Sequence, residues 1–359
     1  MMIFKYVSDQ GEIVDVIPEK FTPLTYSDLV ANGGSAQQYA IEVFAKSIKL
    51  PNGRDEGPGT ASFPITFRQP LTIYSLVEGG WLPPPFVLPA NYLVDRNVIR
   101  TFVRIREDSS KRELAPTHWW LQSLEGFPIL INPVLYASEG ANQRTPSFQE
   151  FLSDLEEGSA EVKTFLANAK LIEFAPKDYA ALYSVVTDSL ERQKRDVEFL
   201  LITAPKVVDR VRTSQLLEIE SQIFAEAKKL KLKPESLCVL AVLSCLYEKP
   251  DGSGFKAARG VIKPKKAYTI KNAYNAVSDL RALEFFLASL GMEREPFSLC
   301  TCDRALAAFW CGLNAHSAKW QTNSKFGFKI SVNQQLFPRL TPDEVKELAK
   351  RISVTGRLD

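Results

Sequence analysis

Two aspartates in this chain each follow a short apolar run, a position at which parallel sheets can place reactive groups. Asp95 follows residues 92–94, and Asp303 follows residues 297–302. An apolar run of this length is typical of a buried parallel strand. The carboxyl ends of such strands meet at the edge where open α/β sheets bind their ligands. We therefore expect Asp95 and Asp303 to lie near one another at a functional site.

Two further acids lie on helices that the sequence predicts between these strands. Residues 129–132 indicate another strand, Pro133 starts a helix, and Glu139 lies about two turns into it. Asp279 lies near the start of the amphipathic helix predicted over residues 275–286. Carboxylates that are brought together repel one another, and a divalent cation offsets the repulsion. Oxygen ligands of this kind suit Mg²⁺ or Mn²⁺, which can activate water for attack on a phosphodiester.

The order of these residues resembles that of the PIN-domain nucleases. That family has a strand followed by Asp-x-Asn-Val, a glutamate on the helix after the second strand, an aspartate on a later helix and a strand that ends in Thr-x-Asp. The resemblance covers residues 90–145 and 270–335, and a segment much longer than in compact members of the family separates the two parts. The matching residues here are Asp95, Asn97, Glu139, Asp279, Thr301 and Asp303.

The resemblance implies an α/β fold with a PIN-like central parallel sheet flanked by helices, and a metal-dependent nuclease that favours RNA over DNA. It implies that Asn97 and Thr301 orient the metal ligands from outside, and that Arg304 or Arg281 contacts the scissile phosphate or pairs with a neighbouring acid. Glu284 is the first replacement to test if Glu139 or Asp279 is displaced. The implied catalytic residues and ligands of Mg²⁺ or Mn²⁺ are Asp95, Glu139, Asp279 and Asp303.

Two alternative functions stay open at this stage. One is a structure-specific DNA nuclease. The other is a non-catalytic PIN-like scaffold that binds a protein partner, or a second copy of itself, through a helical insertion. Keeping all four acids argues against a decayed site, whereas a long insertion is typical of added control by a partner or substrate.

A basic segment leads into the helix of Asp279. After the turn at residues 250–254, the chain has no acidic residue up to position 271. A phosphate backbone that approached the carboxylates would meet these cations first, although a solvated surface loop has the same composition. The predicted nucleic-acid-binding residues are Arg259, Lys263, Lys265, Lys266 and Lys271.

The pattern of apolar residues divides the chain into three predicted units. They are an N-terminal α/β extension at 1–89, a nuclease domain at 90–335 with a helical insertion at about 145–248, and a C-terminal helix at 336–359. Thr341 and Glu344 form a capping box for this last helix. Within the extension we predict strands at 2–6, 13–17 and 62–67, a helix at 35–48 and a stiff linker at 79–85.

The composition of the chain is compatible with this organisation but does not distinguish among the possible functions. The chain has 359 residues, of which 45% are hydrophobic, and a formal net charge of +2, so any basic surface must be local. No uncharged apolar run is long enough to cross a bilayer, and the first ten residues lack a signal-peptide pattern. We therefore expect a cytoplasmic protein without membrane contact.

Other chemistries fit less well. The chain has two histidines, and we expect His118 to be packed or to cap a helix and His316 to lie on the surface, so neither suits a Ser-His-Asp or Cys-His arrangement. The five cysteines lack the paired spacing of a zinc site. The five tryptophans are typical of core residues, with at most one stacking on an unpaired base.

Overall fold

The computed structural model describes residues 4–7, 12–31, 37–67, 69–87, 91–107, 115–124, 129–139, 144–172, 176–187, 190–249, 251–291, 297–322 and 325–353. Within these residues the chain forms a four-stranded sheet, a six-stranded sheet, a two-stranded hairpin and thirteen α-helices. Residues 2–3 of the first predicted strand and residues 354–359 of the predicted C-terminal helix lie outside the described residues.

The four-stranded sheet is antiparallel and comes first in the chain. Its strands follow one another in sequence order, and a short helix, α1 (Tyr26–Ala31), connects the second strand to the third. The strands are β1 (Phe4–Val7), β2 (Ile13–Phe21), β3 (Gln37–Lys49) and β4 (Gly59–Phe67).

The helix predicted at residues 35–48 is wrong, because residues 37–48 belong to strand β3, while residues 35–36 lie outside the described residues. Tyr39, Ile41, Val43 and Ala45 are all buried, whereas the residues between them are exposed. This period of two is that of a strand with one face on the core. Pairing with β2 on one side and β4 on the other satisfies the backbone of β3, and this pairing overrides the local helical tendency.

The six-stranded sheet positions the predicted site. Its order is β6-β5-β10-β7-β8-β9, and the four strands from β10 to β9 are mutually parallel, whereas β5 and β6 are antiparallel to their neighbours. The structure therefore confirms an α/β fold with parallel strands flanked by helices, in a sheet that is mixed. The strands are β5 (Tyr74–Val77), β6 (Gly80–Leu82), β7 (Asn91–Val94), β8 (Leu130–Asn132), β9 (Lys170–Leu171) and β10 (Phe297–Thr301).

Two of these strands come from the residues predicted as an N-terminal extension. β5 pairs with β10, and β6 pairs with β5, so residues 74–82 belong to the central sheet. The predicted stiff linker at residues 79–85 is accordingly wrong. Trp81 in this segment is fully buried, and its indole N–H donates to the carbonyl oxygen of Thr25 at 3.1 Å. Burial of this large ring holds the segment against the sheet.

Helices flank the parallel strands and make up most of the insertion. The region 145–248 is mainly helical as predicted, but it returns to the central sheet at β9, which pairs with β8. The helices after α1 are α2 (Arg96–Glu107), α3 (Ala115–Gln122), α4 (Val134–Glu139), α5 (Phe148–Phe165), α6 (Pro176–Thr187), α7 (Leu190–Thr203), α8 (Leu216–Lys229), α9 (Leu237–Leu246), α10 (Ala257–Ile262), α11 (Ile270–Leu290), α12 (Arg304–Leu313) and α13 (Pro342–Ser353).

The end of the described chain follows its sequence signals. An antiparallel hairpin, β11 (Ala315–Thr322) and β12 (Lys325–Ile330), comes before α13. The predicted capping box is confirmed, since the Glu344 N–H donates to Thr341 Oγ1 at 3.3 Å and the Thr341 N–H donates to Glu344 Oε2 at 2.7 Å. None of the helices in the described ranges is long and apolar enough to cross a membrane.

Candidate active site

Asp95 lies at the carboxyl end of β7, where the backbone changes from strand to helix. Its N–H donates to the carbonyl oxygen of Cys300 on β10 at 3.0 Å, and its own carbonyl oxygen accepts from Val98 at 3.0 Å. The residue is 2% exposed. Thr301 Oγ1 donates to Asp95 Oδ2 at 2.8 Å. The backbone thus places a buried carboxylate at the sheet edge, and Thr301 orients it.

Asn97 contacts Asp95 through both its backbone and its side chain. Helix α2 begins at Arg96, so Asn97 lies inside the first turn. Its backbone N–H donates to the carboxylate of Asp95, and its side-chain Nδ2 lies 3.5 Å from Asp95 Oδ2. Asp95 is therefore the residue that caps this turn, and Asn97 and Thr301 both donate to its carboxylate.

Asp303 lies just after the end of β10, next to the strand that carries Asp95. Its carboxylate caps α12 by accepting from the backbone N–H groups of Ala305 at 2.7 Å and Leu306 at 3.0 Å. The Asp303 N–H donates to Thr301 Oγ1 at 3.0 Å. Thr301 thus joins the turns that carry Asp95 and Asp303 through one hydroxyl group.

Glu139 and Asp279 reach the same edge from helices. Glu139 is the last residue of α4, the helix that follows β8. Asp279 lies in the third turn of α11 rather than near a helix start, because α11 begins at Ile270. Both residues are partly buried. The hydroxyl group of Tyr274, also on α11, donates to the carbonyl oxygen of Glu139 at 3.1 Å and ties the two helices together.

The four carboxylates influence one another electrostatically. Burial raises the pKa of Asp95, a hydrogen bond from Thr301 opposes this rise, and the charge of Asp303 adds to it. The pKa of Glu139 is raised well above its ordinary value by burial, then by the charges of Asp95 and Asp279. The pKa of Asp279 is likewise raised well above its ordinary value by burial, then by Asp95 and Asp303. The tertiary structure therefore gathers all four predicted acids into one electrostatic group.

This group resembles a cation site in its chemistry but is not a closed ligand cage. The Glu139 side chain is among the groups that lower the pKa of Asp95. Within the described ranges, no three His, Cys, Asp or Glu side chains are arranged closely enough to hold a metal ion. The donors are nevertheless the hard oxygens that Mg²⁺ and Mn²⁺ prefer. Their mutual repulsion is the kind that a divalent cation relieves.

Among the predicted nucleic-acid-binding residues, Lys263 is the one whose charge influences an acid of the candidate site. It ends α10 in a left-handed conformation (φ 52°), its side chain is exposed, and its charge lowers the pKa of Asp279. Lys265, Lys266 and Lys271 are also exposed. Lys266 lies 3.3 Å from Asp209 in an ion pair on the surface. The basic segment thus presents exposed cations, of which Lys263 influences a carboxylate of the candidate site.

Two of the arginines predicted to contact the substrate, Arg259 and Arg304, are engaged within the fold. Arg259 donates to Glu248 at 2.6 Å and to the carbonyl oxygens of residues 207 and 208. Arg304 donates to the carbonyl oxygen of Leu29 at 2.8 Å and lies 4.9 Å from the centre of the Phe255 ring. Each guanidinium group therefore joins segments that are distant in sequence.

Sequence reasoning missed Arg96, the residue directly after Asp95. Its side chain is buried, donates to the carbonyl oxygen of Tyr136 at 2.9 Å and lies 3.6 Å from Asp154 on α5. The positive charge of Arg96 lowers the pKa of Glu139. A charged residue directly after an apolar strand was the available signal, because a buried arginine needs acidic or carbonyl partners. Arg96 thus supports the carboxylate group from the inner side.

Glu284, the first replacement acid to test, and the two histidines make their contacts outside the group of four carboxylates. Glu284 pairs with Arg192 on α7. The ring of His118 packs edge-on against Phe165 at 5.6 Å, and Nδ1 of His316 on β11 lies 2.9 Å from the carbonyl oxygen of Asn314, the C-cap residue of α12. The five cysteines are free thiols, four of them buried and Cys302 partly buried.

Most of the described tryptophan side chains lie in the core. Trp81, Trp120 and Trp310 are fully buried, which confirms the core interpretation for these three. Trp119 is 37% exposed and is the ring that a base could reach among the described tryptophan side chains, whereas the side chain of Trp320 lies outside them.

Comparison of the chain with models of protein families, with curated protein sequences and with solved structures found no match. A function for this chain is therefore inferred from its own residues and their geometry.

Proposed function

We propose that this protein is a divalent-metal-dependent nuclease that hydrolyses phosphodiester bonds, with RNA favoured over DNA as its substrate. The observation that supports this best is the position of Asp95. It is buried at the carboxyl edge of parallel strands, and it is electrostatically coupled to acids from three other elements. Neither helix capping nor solubility requires acids so distant in sequence to meet, whereas a shared cationic ligand does.

The sheet order supports the resemblance to PIN-domain nucleases as a proposal. β7 lies between β10 and β8, so Asp95 stands next to the strand that leads to Asp303 and next to the strand that leads to Glu139 through α4. Asp279 approaches from α11, which comes directly before β10 in the chain. Each acid thus reaches this edge from the kind of element that the resemblance implies for it.

The proposed ligands of Mg²⁺ or Mn²⁺ are Asp95, Glu139, Asp279 and Asp303. When bound, such an ion supplies positive charge that activates a water molecule and stabilises the leaving oxygen. Thr301 and Asn97 keep the Asp95 carboxylate in one orientation, which limits the freedom that must be lost when a ligand binds. Arg96 offsets part of the negative charge at Glu139 from the protein side.

Exposed lysines give the substrate a path to the acids. Lys263 is close enough to Asp279 to lower its pKa, and Lys265 and Lys266 follow within three positions. Phosphate groups bound at such cations release counterions, which makes binding strong at low salt and independent of sequence. The lysines are proposed to hold the backbone of the nucleic acid, and the carboxylates to act on one of its phosphates.

Cleavage of labelled substrates tests this function. Wild-type protein is incubated with single-stranded RNA, single-stranded DNA and duplexes, in Mg²⁺, in Mn²⁺ and in excess EDTA. We expect metal-dependent cleavage, fastest on RNA, and its loss in Asp95→Asn, which keeps the shape of the side chain. Asp343→Asn is the matched control, because Asp343 is exposed on α13 and pairs with the neighbouring Lys346.

The outcomes separate the candidate functions. Faster cleavage of a DNA structure than of RNA would make the protein a structure-specific DNA nuclease. Cleavage that persists in EDTA, or in Asp95→Asn at the wild-type rate, would contradict the metal-dependent mechanism. No cleavage of any substrate in either metal would leave the non-catalytic scaffold as the better interpretation.

A further inference from the structure

A cavity of about 310 Å³ lies on a different face of α11 from the carboxylates. Glu284 lines it and follows Asp279 by five positions, which corresponds to about 140° around a helix. Side chains of α7, of the turn before α9 and of β12 complete the lining. Asp95, Glu139, Asp279 and Asp303 do not contribute to it. The cavity is therefore a site separate from the one described above.

The lining carries more positive than negative charge. It contains four cations, Arg192, Arg195, Lys231 and Lys233, and two acids, Glu235 and Glu284. Arg192 and Glu284 form an ion pair and neutralise one another. Three cations then face one acid, which leaves a net charge of +2. An anion inside the cavity would offset this charge.

Donors in this lining lack acceptors in the folded chain. Lys233 Nζ and Arg195 Nε are buried without a hydrogen-bond partner among the described residues, and so is one acceptor of the lining, Glu235 Oε2. A buried charged donor without an acceptor is strongly unfavourable. The first turn of α9, which starts at Leu237, adds the positive end of a helix dipole at the same cavity. Both features favour a ligand that brings oxygen acceptors and negative charge.

The other part of the lining is apolar. Leu232, Leu237 and Leu287 are buried side chains that face the cavity, and Phe328 supplies an aromatic ring. A free inorganic anion would leave this surface in contact with water. Burial of apolar surface contributes roughly 25 cal/mol per Å². The ligand that satisfies both halves of the cavity therefore combines an anionic group with an apolar body.

We propose that this cavity binds an organic phosphate monoester with an apolar or aromatic body. A monoester carries about −1.5 to −2 charges at neutral pH, which matches the net charge of the lining. The volume lies at the lower end of the range of about 300–1,000 Å³ that small-molecule sites occupy. Lys233 and Arg195 donate to the phosphate oxygens, Lys231 adds charge at the rim, and the leucines and Phe328 cover the body. This proposal does not depend on the proposed nuclease activity.

Isothermal titration calorimetry on the full chain tests the site, in buffer without divalent metal so that cleavage has no part in the result. The ligands are phenyl phosphate and adenosine monophosphate, compared with inorganic phosphate, phenol and adenosine. We expect at least one monoester to bind at least about tenfold more tightly than either inorganic phosphate or its own neutral body, since each half of the ligand contributes. Binding of neither monoester above these references would overturn the proposal.

Variants in opposite directions identify the residues. Lys233→Met should weaken binding of the monoester by about tenfold or more, because it removes a charge-assisted donor. Glu235→Gln should strengthen it, because it removes the negative charge of the lining; misfolding would not produce that change. Lys194→Met is the control, because Lys194 is exposed on α7 and pairs with Glu191 outside the cavity. Equal affinity of wild type and Lys233→Met, no gain in Glu235→Gln, or an equal loss in Lys194→Met would each overturn the assignment.

Discussion

The hydroxyl group of Thr301 donates to the carboxylate of Asp95 at 2.8 Å, although 206 positions separate the two residues in the sequence. Both residues are buried, Thr301 at the end of β10 and Asp95 just after β7. The pairing of these two parallel strands in register brings Cys300 opposite Val94, so the residues that follow meet at the same edge. This hydrogen bond orients the central carboxylate of the candidate site together with those from Asn97.

Removal of this hydroxyl group should destabilise the fold and disturb the site. In Thr301→Val the shape of the side chain is kept, but Asp95 loses a donor while it stays buried. We expect the free energy of unfolding at pH 7 to fall by about 1–3 kcal/mol, the range for hydrogen bonds to charged groups and for unsatisfied buried groups. Urea unfolding measures this change. Thr66→Val, at an exposed position of β4, is the control and should change stability little; an equal effect of both variants would contradict the role of Thr301.

The close approach of α10 to α12 depends on Gly260. A β-carbon at this position would lie 2.4 Å from the β-carbon of Ala305, whose backbone N–H donates to Asp303. Gly260→Ala should therefore push the two helices apart, lower stability by about 1–3 kcal/mol and slow cleavage through displacement of Asp303. Thermal unfolding and cleavage rates measure both effects. The double variant Gly260→Ala with Ala305→Gly restores the space and should recover part of the stability, whereas purely additive effects would speak against this close approach.

The exposed lysines should control the dependence of nucleic-acid binding on salt. Replacing Lys263, Lys265 and Lys266 by alanine should weaken binding of single-stranded RNA similarly across sequences, because phosphate contacts carry no sequence information. The slope of log K against log salt should flatten by about 0.7 for each phosphate group that the variant no longer neutralises. Fluorescence anisotropy at several salt concentrations measures this slope. Lys346→Ala with Lys350→Ala on α13 is the control, and an unchanged slope in the triple variant would return the segment to the solvated-loop interpretation.

Asp196 should make stability fall as pH rises. Burial, and then the charge of Glu284, raise its pKa from 3.8 to about 7. A raised pKa means that the folded chain holds the proton more tightly than the unfolded chain. Stability from this group is therefore present at low pH and is lost as pH rises through the interval between these two values. Asp196→Asn cannot lose a proton and should lack this fall.

Chemical unfolding at several pH values measures this difference. The free energy of unfolding of Asp196→Asn minus that of wild type should increase between about pH 4 and pH 7 and level off above. The charge of Arg192, whose Nε lies 3.8 Å from Asp196 Oδ2, lowers the pKa of Asp196 and is therefore already included in this difference. Asp343→Asn, at an exposed position, controls for the loss of an aspartate. A difference that stays constant with pH would contradict the raised pKa.

The amino-acid sequence by itself determined the features that depend on near neighbours in the chain. The apolar runs before Asp95 and Asp303 became β7 and β10, and Thr341 with Glu344 capped α13. These signals act over at most a few positions, through backbone pairing periods and capping hydrogen bonds. The burial of Trp81, Trp120 and Trp310 could be predicted in the same way, because large rings are rarely left in water.

Only the tertiary structure decided which of these residues meet. Residues 37–49 became a strand because β2 and β4 offered partners on both sides, and β5 and β6 joined the central sheet through β10. Arg259 is basic by sequence, yet it binds Glu248 and two carbonyl groups and is engaged inside the fold. The coupling of Asp95, Glu139, Asp279 and Asp303 depends on how strands and helices far apart in the chain pack together. Burial and distance set the strength of an interaction between charges, and neither can be predicted from local sequence patterns.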